Sequence, residues 1–211
     1  QWLLETDVGE IGPFDGVIVA LPAPRAAAVL HSTDESLASA LGQIPYASSA
    51  IVSLAYRTSQ LTKPPQGFGI VVPTVESRPL IAASFSSIKF AGRAPDDQLL
   101  VRVFLGGGTR PEQMELSDLE LESIAVGEMK TLIGAQGEPL SSDVVRWNEK
   151  MPQYHVGHLQ QVERIEQLAG EIPGLELAGN AYRGVGIPQC IESGDGAARR
   201  LASTLDERQS R

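Results

Sequence analysis

The stretch that most constrains this chain is residues 175–194, which read LELAGNAYRGVGIPQCIESG. A short apolar segment leads into a turn with Gly179, Gly184 and Gly186, and Pro188 follows where a helix is expected to begin. Glycine lets a backbone approach a ligand closely, and proline is favoured in the first turn of a helix. The N–H groups at such a helix start suit an anionic or electron-rich ligand. We call residues 178–186 the glycine turn. Its residues fit either a purely structural connection or a turn that binds a ligand.

The composition narrows the classes of function. Of the 211 residues, 42% are hydrophobic, so the chain can bury a sizeable core. A formal charge of −9 at pH 7 argues against a nucleic-acid partner. The single cysteine, Cys190, excludes an internal disulfide framework and a multi-cysteine metal site, and it fits a reducing, cytoplasmic setting. No apolar run reaches the ~20 residues of a membrane-spanning helix.

Strand-like segments occupy much of the first half of the chain. Residues 16–22 form an apolar run between turn residues, which is typical of a strand that is buried on both faces in a parallel sheet. Three apolar, partly β-branched segments follow at spacings that suit an antiparallel or mixed sheet, at residues 49–57, 80–86 and 99–105. A shorter strand is predicted at residues 143–147, which include Trp147.

Helical signals dominate the second half. Ser117 and Glu120 match a capping box, and Gly134 suits the end of the helix that they begin. Other helices are predicted at residues 24–30, 36–41, 158–168 and 190–205, with fraying over residues 208–211. We therefore predict an α+β fold. A mixed, largely antiparallel sheet carries helices on one face, and the last strand and helix belong to a second, incomplete layer.

Three further features could carry chemistry. The run Gly106-Gly107-Gly108 lacks the G-x-G-x-x-G spacing of a dinucleotide site, so a flexible strand end is favoured. The three histidines do not show zinc-ligand spacing, so a surface or capping role is favoured for them and no metal site is predicted. Trp147 is either a packed core residue or an aromatic wall beside a ring-shaped ligand.

The glycine turn resembles the C-terminal flavin-binding motif of the FAD-dependent amine oxidase superfamily. The resemblance is closest to the oxygen-dependent protoporphyrinogen and coproporphyrinogen oxidases. Residues 17–24 and 178–188 are of a kind shared widely in the superfamily. Residues 46–52 and 146–159 are similar to the porphyrinogen oxidases in particular. The resemblance implies an FAD-dependent enzyme of haem biosynthesis that oxidises a porphyrinogen to a porphyrin with oxygen.

The resemblance also implies contacts with the cofactor, although it does not identify a catalytic residue. Residues 185–187 would offer backbone to the flavin ring, whereas residues 179 and 180 would lie nearer the ribityl-phosphate part. Trp147 would stand beside the isoalloxazine. A helix start next to the ring would stabilise the negative charge of reduced flavin. The predicted cofactor-binding residues are Trp147, Gly179, Asn180, Val185, Gly186 and Ile187.

The same resemblance predicts a division into domains. Residues 1–24 would be strands that return to an FAD-binding domain, residues 25–145 a substrate-binding domain, and residues 146–211 the C-terminal part of the FAD-binding domain. These enzymes begin with a Rossmann unit and its G-x-G-x-x-G motif, which this sequence lacks. We therefore expect a C-terminal fragment that does not hold FAD tightly alone.

Several expectations remain open at the level of sequence. Exposed strand edges such as residues 17–21 could pair between chains, which predicts a homodimer. Peripheral membrane contact would use segments that are outside this sequence. The alternatives are another flavoenzyme of the superfamily, either a polyene desaturase or an amine oxidase, and a non-catalytic binding module.

Overall fold

The computed structural model describes residues 1–209, with side chains to residue 207, so residues 210 and 211 of the stretch predicted to fray lie outside the described residues. The strands are β1 (Trp2–Thr6), β2 (Gly9–Phe14), β3 (Val17–Val19), β4 (Tyr46–Arg57), β5 (Gly69–Val71), β6 (Leu80–Phe85), β7 (Gln98–Gly106), β8 (Ser141–Pro152) and β9 (Leu175–Leu177). The helices are α1 (Ala23–Leu30), α2 (Glu35–Gly42), α3 (Ser86–Lys89), α4 (Asp118–Leu132), α5 (His158–Gly170) and α6 (Ile187–Gln209).

The chain divides into two compact units. The first unit comprises Gln1–Pro45 and the described residues from Pro152 onwards, and the second unit is Tyr46–Met151. The predicted assignment of residues 1–24, 25–145 and 146–211 to an FAD-binding and a substrate-binding domain stays a prediction. None of the described helices is long and apolar enough to cross a membrane.

A five-stranded sheet forms the second unit, in the order β5-β6-β7-β4-β8. β4 and β7 pair antiparallel from Ser49 opposite Gly106 to Arg57 opposite Gln98, and β5 with β6 and β6 with β7 are antiparallel too. Alternate residues of β7, such as Val101 and Val103, are fully buried beneath α4. The predicted α+β class with a largely antiparallel sheet and a helix on one face is confirmed.

Helix α4 follows the predicted pattern closely. The Ser117 hydroxyl accepts the Glu120 N–H at 3.3 Å, and the Glu120 carboxylate accepts the Ser117 N–H at 2.8 Å. The Ser117 hydroxyl also donates to the Glu120 carboxylate at 2.7 Å, and this bond, together with the one from the Ser117 N–H, lowers the pKa of Glu120. Gly134 has φ +64°, the left-handed conformation that commonly ends a helix. The helix buries Leu121, Ala125 and Met129 at a spacing of four residues, which places them in one apolar stripe against the sheet.

Strand β8 is longer than predicted. It spans Ser141–Pro152, whereas the apolar pattern predicted a strand only at residues 143–147. Pairing with β4 explains the extension, because backbone hydrogen bonds need no apolar side chain. The Glu149 N–H bonds to the Ser48 hydroxyl at 2.9 Å in this part of the strand.

The first unit contains a small parallel sheet. Val17–Val19 of β3 pair in parallel with Leu175–Leu177 of β9, as the apolar run predicted. The prediction that this strand is buried on both faces is wrong for one face of β3, since Ile18 is 36% exposed. β1 and β2 form a separate antiparallel hairpin. The glycine turn follows β9 directly in the chain, so it begins at the carboxyl end of this parallel sheet.

Tyr56 is an unusual member of the core of the second unit. Its side chain is fully buried, and its hydroxyl has no hydrogen-bond partner among the described residues. Burial, together with the charges of Glu138 and Glu122, raises the pKa of Tyr56 to about 12. An unsatisfied buried hydroxyl costs about 1–3 kcal/mol.

We therefore expect Tyr56→Phe to leave the free energy of unfolding at pH 7 unchanged or to raise it by about 1 kcal/mol. The folded pKa lies above that of the unfolded chain, about 10, so the wild type loses stability as the pH rises from 10 to 12, by about 1.4 kcal/mol per pH unit. The variant lacks this loss. Urea unfolding of both proteins at pH 8, 10 and 11 measures the difference, and parallel pH profiles would contradict it.

Candidate functional site

The glycine turn links the carboxyl end of β9 to the start of α6. Gly179 has φ +128°, and a Cβ placed there would meet no atom within 4 Å. Gly184 has φ +153°, and a Cβ there would lie 2.5 Å from Cγ of Gln189. Both positions therefore need glycine for the backbone conformation, and Gly184 also needs it for space. The turn passes close over Gln189 in the first turn of α6 and leaves open space beside Gly179.

Tyr154 clamps the middle of the glycine turn by bonding to two of its residues. Its hydroxyl donates to the carbonyl of Asn180 at 2.7 Å and accepts the N–H of Gly184 at 2.9 Å. Burial raises the pKa of Tyr154, partly offset by the hydrogen bond from Gly184, so the hydroxyl keeps its proton at neutral pH and can donate. The Tyr154 ring stacks on His158, with ring centroids 3.9 Å apart. The clamp thus comes from a residue far from the turn in sequence.

Helix α5 and helix α6 add three further contacts to the turn. His158 Nε2 lies 2.7 Å from the carbonyl of Tyr182, which can only accept, so Nε2 carries the hydrogen. Arg183 forms a two-pronged ion pair with Glu166, with Nε and Nη2 at 2.9 and 2.6 Å from the carboxylate, and this hydrogen bonding raises the pKa of Arg183. The N–H of Gly179 donates to the Ser193 hydroxyl at 3.1 Å. Together with the bonds of Tyr154, these contacts hold the turn between residues 179 and 184.

The start of α6 suits a flat ring with polar and apolar edges. The Cys190 N–H bonds to the Gly186 carbonyl at 3.0 Å, so the N–H groups before Cys190 precede the first intrahelical bond and are free for a ligand. Exposed apolar side chains stand around them: Val185 is 50% and Ile187 77% exposed. A flavin has ring carbonyls to accept such N–H groups, a dimethylbenzene edge for apolar contacts and negative charge when reduced. The residues present therefore fit the predicted flavin.

A cavity of about 770 Å³ lies beside β9, between α5 and α6. Its walls include Leu177, Tyr182 and Ser193. Two ion pairs lie in its wall: Arg200 Nε lies 2.9 Å from the Glu176 carboxylate, and Arg183 binds Glu166. The predicted flavin contacts are not among its lining residues. The cavity borders the glycine turn at Tyr182 and Arg183 and the start of α6 at Gln189. We therefore assign the candidate site to residues 179–180 and 185–187, which lie outside the cavity lining, and not to the cavity itself.

Trp147 belongs to the second unit, so its position is described apart from the glycine turn. It is 46% exposed, which does not fit a packed core tryptophan. Its neighbour Arg146 points to the opposite face and anchors β8, with Nε 2.7 Å from the Asp118 carboxylate and Nη1 2.9 Å from the Met114 carbonyl. Trp147 as a flavin contact stays a prediction. The other five predicted residues lie in the turn and at the helix start, in two groups: Gly179 with Asn180, and Val185 with Gly186 and Ile187. Their contacts with a cofactor stay predictions too.

The sequence did not identify the residues that hold the turn. They are Tyr154, His158, Glu166 and Ser193, and each acts through a contact with a residue at least 14 positions away. The expected surface or capping role of His158 missed its contact with Tyr182. Among the described residues, no group of three or more His, Cys, Asp or Glu side chains could hold a metal ion.

Replacing Tyr154 by phenylalanine tests the clamp. The variant keeps the ring that stacks on His158 but loses both hydrogen bonds to the turn, so we expect a loss of about 1–2 kcal/mol in the local stability of the turn. Hydrogen exchange of the Gly184 amide should become about 5- to 30-fold faster. The Cys190 amide, which bonds to Gly186 within α6, is the internal control and should change little. Unchanged protection of Gly184 would show that the clamp does not stabilise the turn.

Known proteins are similar to this chain in sequence. A family model described as flavin containing amine oxidoreductase matches residues 3–202. The coproporphyrinogen III oxidase of Propionibacterium freudenreichii is 38% identical over 184 residues, which cover 87% of this chain and 34% of that protein. The coproporphyrinogen III oxidase of Bacillus subtilis is 33% identical over 195 residues, which cover 92% of this chain and 41% of that protein.

A solved structure shows a similar fold. The candidate protoporphyrinogen oxidase from Exiguobacterium sp. 255-15 superposes with a TM-score of 0.78 at 28% identity, and the match covers 97% of this chain and 44% of that one. The chain thus spans less than half the length of these relatives. The resemblance to this group of proteins and the flavin nature of the cofactor, both predicted from the sequence, are confirmed. The chain belongs to the family of flavin-containing amine oxidoreductases.

Proposed function

We propose that this chain is part of an FAD-dependent oxidase that converts a porphyrinogen to a porphyrin with oxygen as the electron acceptor. The observation that carries the proposal is the 38% identity, over 87% of this chain, with a protein named coproporphyrinogen III oxidase. The geometry of the glycine turn supports the cofactor, because the turn offers free N–H groups and exposed apolar side chains at the start of α6. A place in haem biosynthesis follows from the same reaction.

The overall reaction balances with oxygen as the only other reactant. The porphyrinogen loses six electrons and six protons in successive two-electron steps, and each pair of electrons with its protons reduces one O₂ to hydrogen peroxide. When it is bound, FAD supplies the two-electron chemistry.

The residues of the chain would orient the cofactor and tune it electrostatically. The backbone of residues 185–187 and the positive end of the α6 dipole would stabilise negative charge on the reduced ring. Gly179 and Asn180 would lie near the ribityl-phosphate part. Tyr154 would hold the turn in the conformation that presents these groups, through its bonds to Asn180 and Gly184. Trp147 would provide an aromatic wall beside the ring.

Three predictions concern the partners and the cellular setting of the protein. A homodimer and peripheral membrane contact stay predictions, as does a cytoplasmic location. The pairing of β3 with β9 occupies one edge of β3, so a dimer would need another edge of that sheet.

The test uses the full-length protein that contains this chain, purified with its flavin. Coproporphyrinogen III and protoporphyrinogen IX are supplied separately in air, and the porphyrin is followed by its Soret absorbance while peroxide is measured in parallel. We expect turnover of at least one porphyrinogen with three peroxide molecules for each porphyrin formed. Polyamines and a polyene serve as the substrates of the alternative flavoenzymes.

The outcomes separate the alternatives. Turnover of an amine or a polyene with no porphyrin formed would replace the proposal by another reaction of the family. A protein that binds flavin and oxidises none of these substrates would favour the non-catalytic binding module. Porphyrin formation without peroxide would keep the substrate but overturn oxygen as the acceptor.

A further inference from the structure

The five-stranded sheet of the second unit packs against α4 with one face. We call its other face, which points away from α4, the open face. On β7 the residues Val101 and Val103 point to α4 and are fully buried, so Arg102 and Phe104 point to the open face. Arg102 is exposed and Phe104 is half-buried. Trp147 points to the same face, because its neighbour Arg146 bonds to residues at the start of α4. The open face therefore carries one cationic side chain, Arg102, together with the aromatic side chains of Phe104 and Trp147.

The strand register places two hydroxyl groups beside Arg102. Ser53 of β4 is its cross-strand partner on one side, and Ser84 of β6 is its partner on the other. Directly opposite residues have Cβ atoms about 4.5–5.5 Å apart. The hydroxyls of Ser53 and Ser84 have no hydrogen-bond partner among the described residues, so both can serve a ligand. The row Ser84-Arg102-Ser53 thus presents a guanidinium between two free donors.

The neighbouring row is apolar. Phe104 is opposite Ala82 of β6 and Ile51 of β4. The Cζ atom of Arg102 lies 5.7 Å from the centroid of the Phe104 ring, which holds the guanidinium against an aromatic face. A ligand that covers both rows would place an acidic group on the first and a flat or apolar body on the second.

Arg102 also lacks an ion-pair partner within the described residues. Most arginines of the second unit have one: Arg57 pairs with Asp97, Arg78 with Glu128, and Arg146 with Asp118. In a chain whose formal charge is −9, carboxylates are abundant, so an unpaired arginine on a sheet face is a local exception. Guanidinium is the preferred partner of a carboxylate because it can donate two parallel hydrogen bonds. A carboxylate of a ligand would therefore supply the ion-pair partner that Arg102 lacks within the described residues.

We propose that Arg102, flanked by Ser53 and Ser84, binds a propionate carboxylate of the porphyrinogen and makes the site selective for substrates with free carboxylates. This inference rests on the proposed function. The porphyrinogen body would lie toward Phe104 and Ile51. Arg102 acts in substrate recognition and not in the chemical step, so its loss should affect binding rather than the maximal rate.

The experiment compares the full-length flavoprotein with its Arg102→Gln variant. Binding of coproporphyrin III is measured by fluorescence titration, with the uncharged coproporphyrin tetramethyl ester as the matched ligand. We expect the variant to bind the free acid about tenfold more weakly, which corresponds to about 1.4 kcal/mol, and to bind the ester as the wild type does. KM for coproporphyrinogen III should rise by a similar factor, while kcat changes less than twofold.

Three further proteins keep the test decisive. Arg102→Lys retains the charge without the two-pronged geometry, so its loss of affinity should be intermediate. Ser53→Ala with Ser84→Ala should weaken binding of the free acid about threefold through lost hydrogen bonds. Arg25→Gln removes an exposed positive charge from α1, in the other unit, and should bind as the wild type does. If Arg102→Gln fails to retain flavin, the lysine and serine variants decide.

The outcomes distinguish this inference from the proposed function. A wild-type protein that turns over coproporphyrinogen, with an Arg102→Gln variant of unchanged Kd and KM, would overturn the inference and leave the proposed function in place. Equal weakening for the acid and the ester would overturn it too, because it would indicate a general structural effect. A wild-type protein that neither binds coproporphyrin nor oxidises any porphyrinogen would overturn both.

Discussion

Replacing Gly184 by valine is expected to lower flavin affinity of the full-length protein at least tenfold. A residue with a side chain at φ +153° costs about 1–3 kcal/mol in backbone strain. A Cβ there would also lie 2.5 Å from Cγ and 2.7 Å from Cβ of Gln189, so the first turn of α6 must move. Such overpacking costs about 1–3 kcal/mol more. The strained turn cannot keep the conformation that Tyr154 clamps, and flavin retention after gel filtration measures the loss.

Two controls separate the causes of that effect. Gly194→Ala lies in α6, where a Cβ meets no atom within 4 Å, so it should retain flavin and slightly raise stability. Gly184→Ala combined with Gln189→Gly removes the steric clash but keeps the backbone strain, so it should retain more flavin than Gly184→Ala alone. Wild-type flavin affinity in Gly184→Val would show that the turn does not hold the cofactor.

The second large effect concerns the core of the second unit. Leu121→Ala is expected to lower the free energy of unfolding by about 2–5 kcal/mol, because it deletes apolar groups from a closely packed site and leaves a cavity. Leu121 is fully buried in the stripe of α4 that packs on the sheet with Ala125 and Met129. Urea unfolding followed by circular dichroism measures the change, and the midpoint should fall with little change in slope.

Leu119→Ala is the matched control for this prediction. It makes the same substitution in the same helix two residues earlier, but Leu119 is 79% exposed. Its effect should stay within about 0.5 kcal/mol, since a surface substitution removes few contacts. Equal losses in the two variants would mean that helix propensity rather than burial determines the stability of α4.

Local patterns in the sequence predicted much of the fold. The capping box at Ser117 and Glu120 formed as expected, because it involves residues only three apart. The apolar run at residues 16–22 correctly predicted a strand in a parallel sheet, and β3 pairs with β9. The apolar pattern did not predict strands that form through backbone pairing with a neighbouring strand. β8 extends to Pro152 through polar, exposed residues, and β2 forms in a segment rich in glycine.

The glycine turn shows the same division within the candidate site. Its glycines and Pro188 predicted a turn and a helix start from local preferences, and α6 does begin at Ile187. The family resemblance then pointed to flavin. Neither source identified Tyr154 as the residue that bonds to both Asn180 and Gly184, because no periodicity links positions 26 and 30 residues apart.

The sequence by itself therefore determined the family, the class of cofactor and the type of each main element, because these depend on short stretches of chain whose preferences are local. Only the tertiary structure decided what supports the turn and what stands on the open face. The bonds of Tyr154 and the placement of Ser53 and Ser84 beside Arg102 both depend on register and packing between distant segments. Such contacts form only when the chain has folded, so the spacing of residues along the sequence does not predict them.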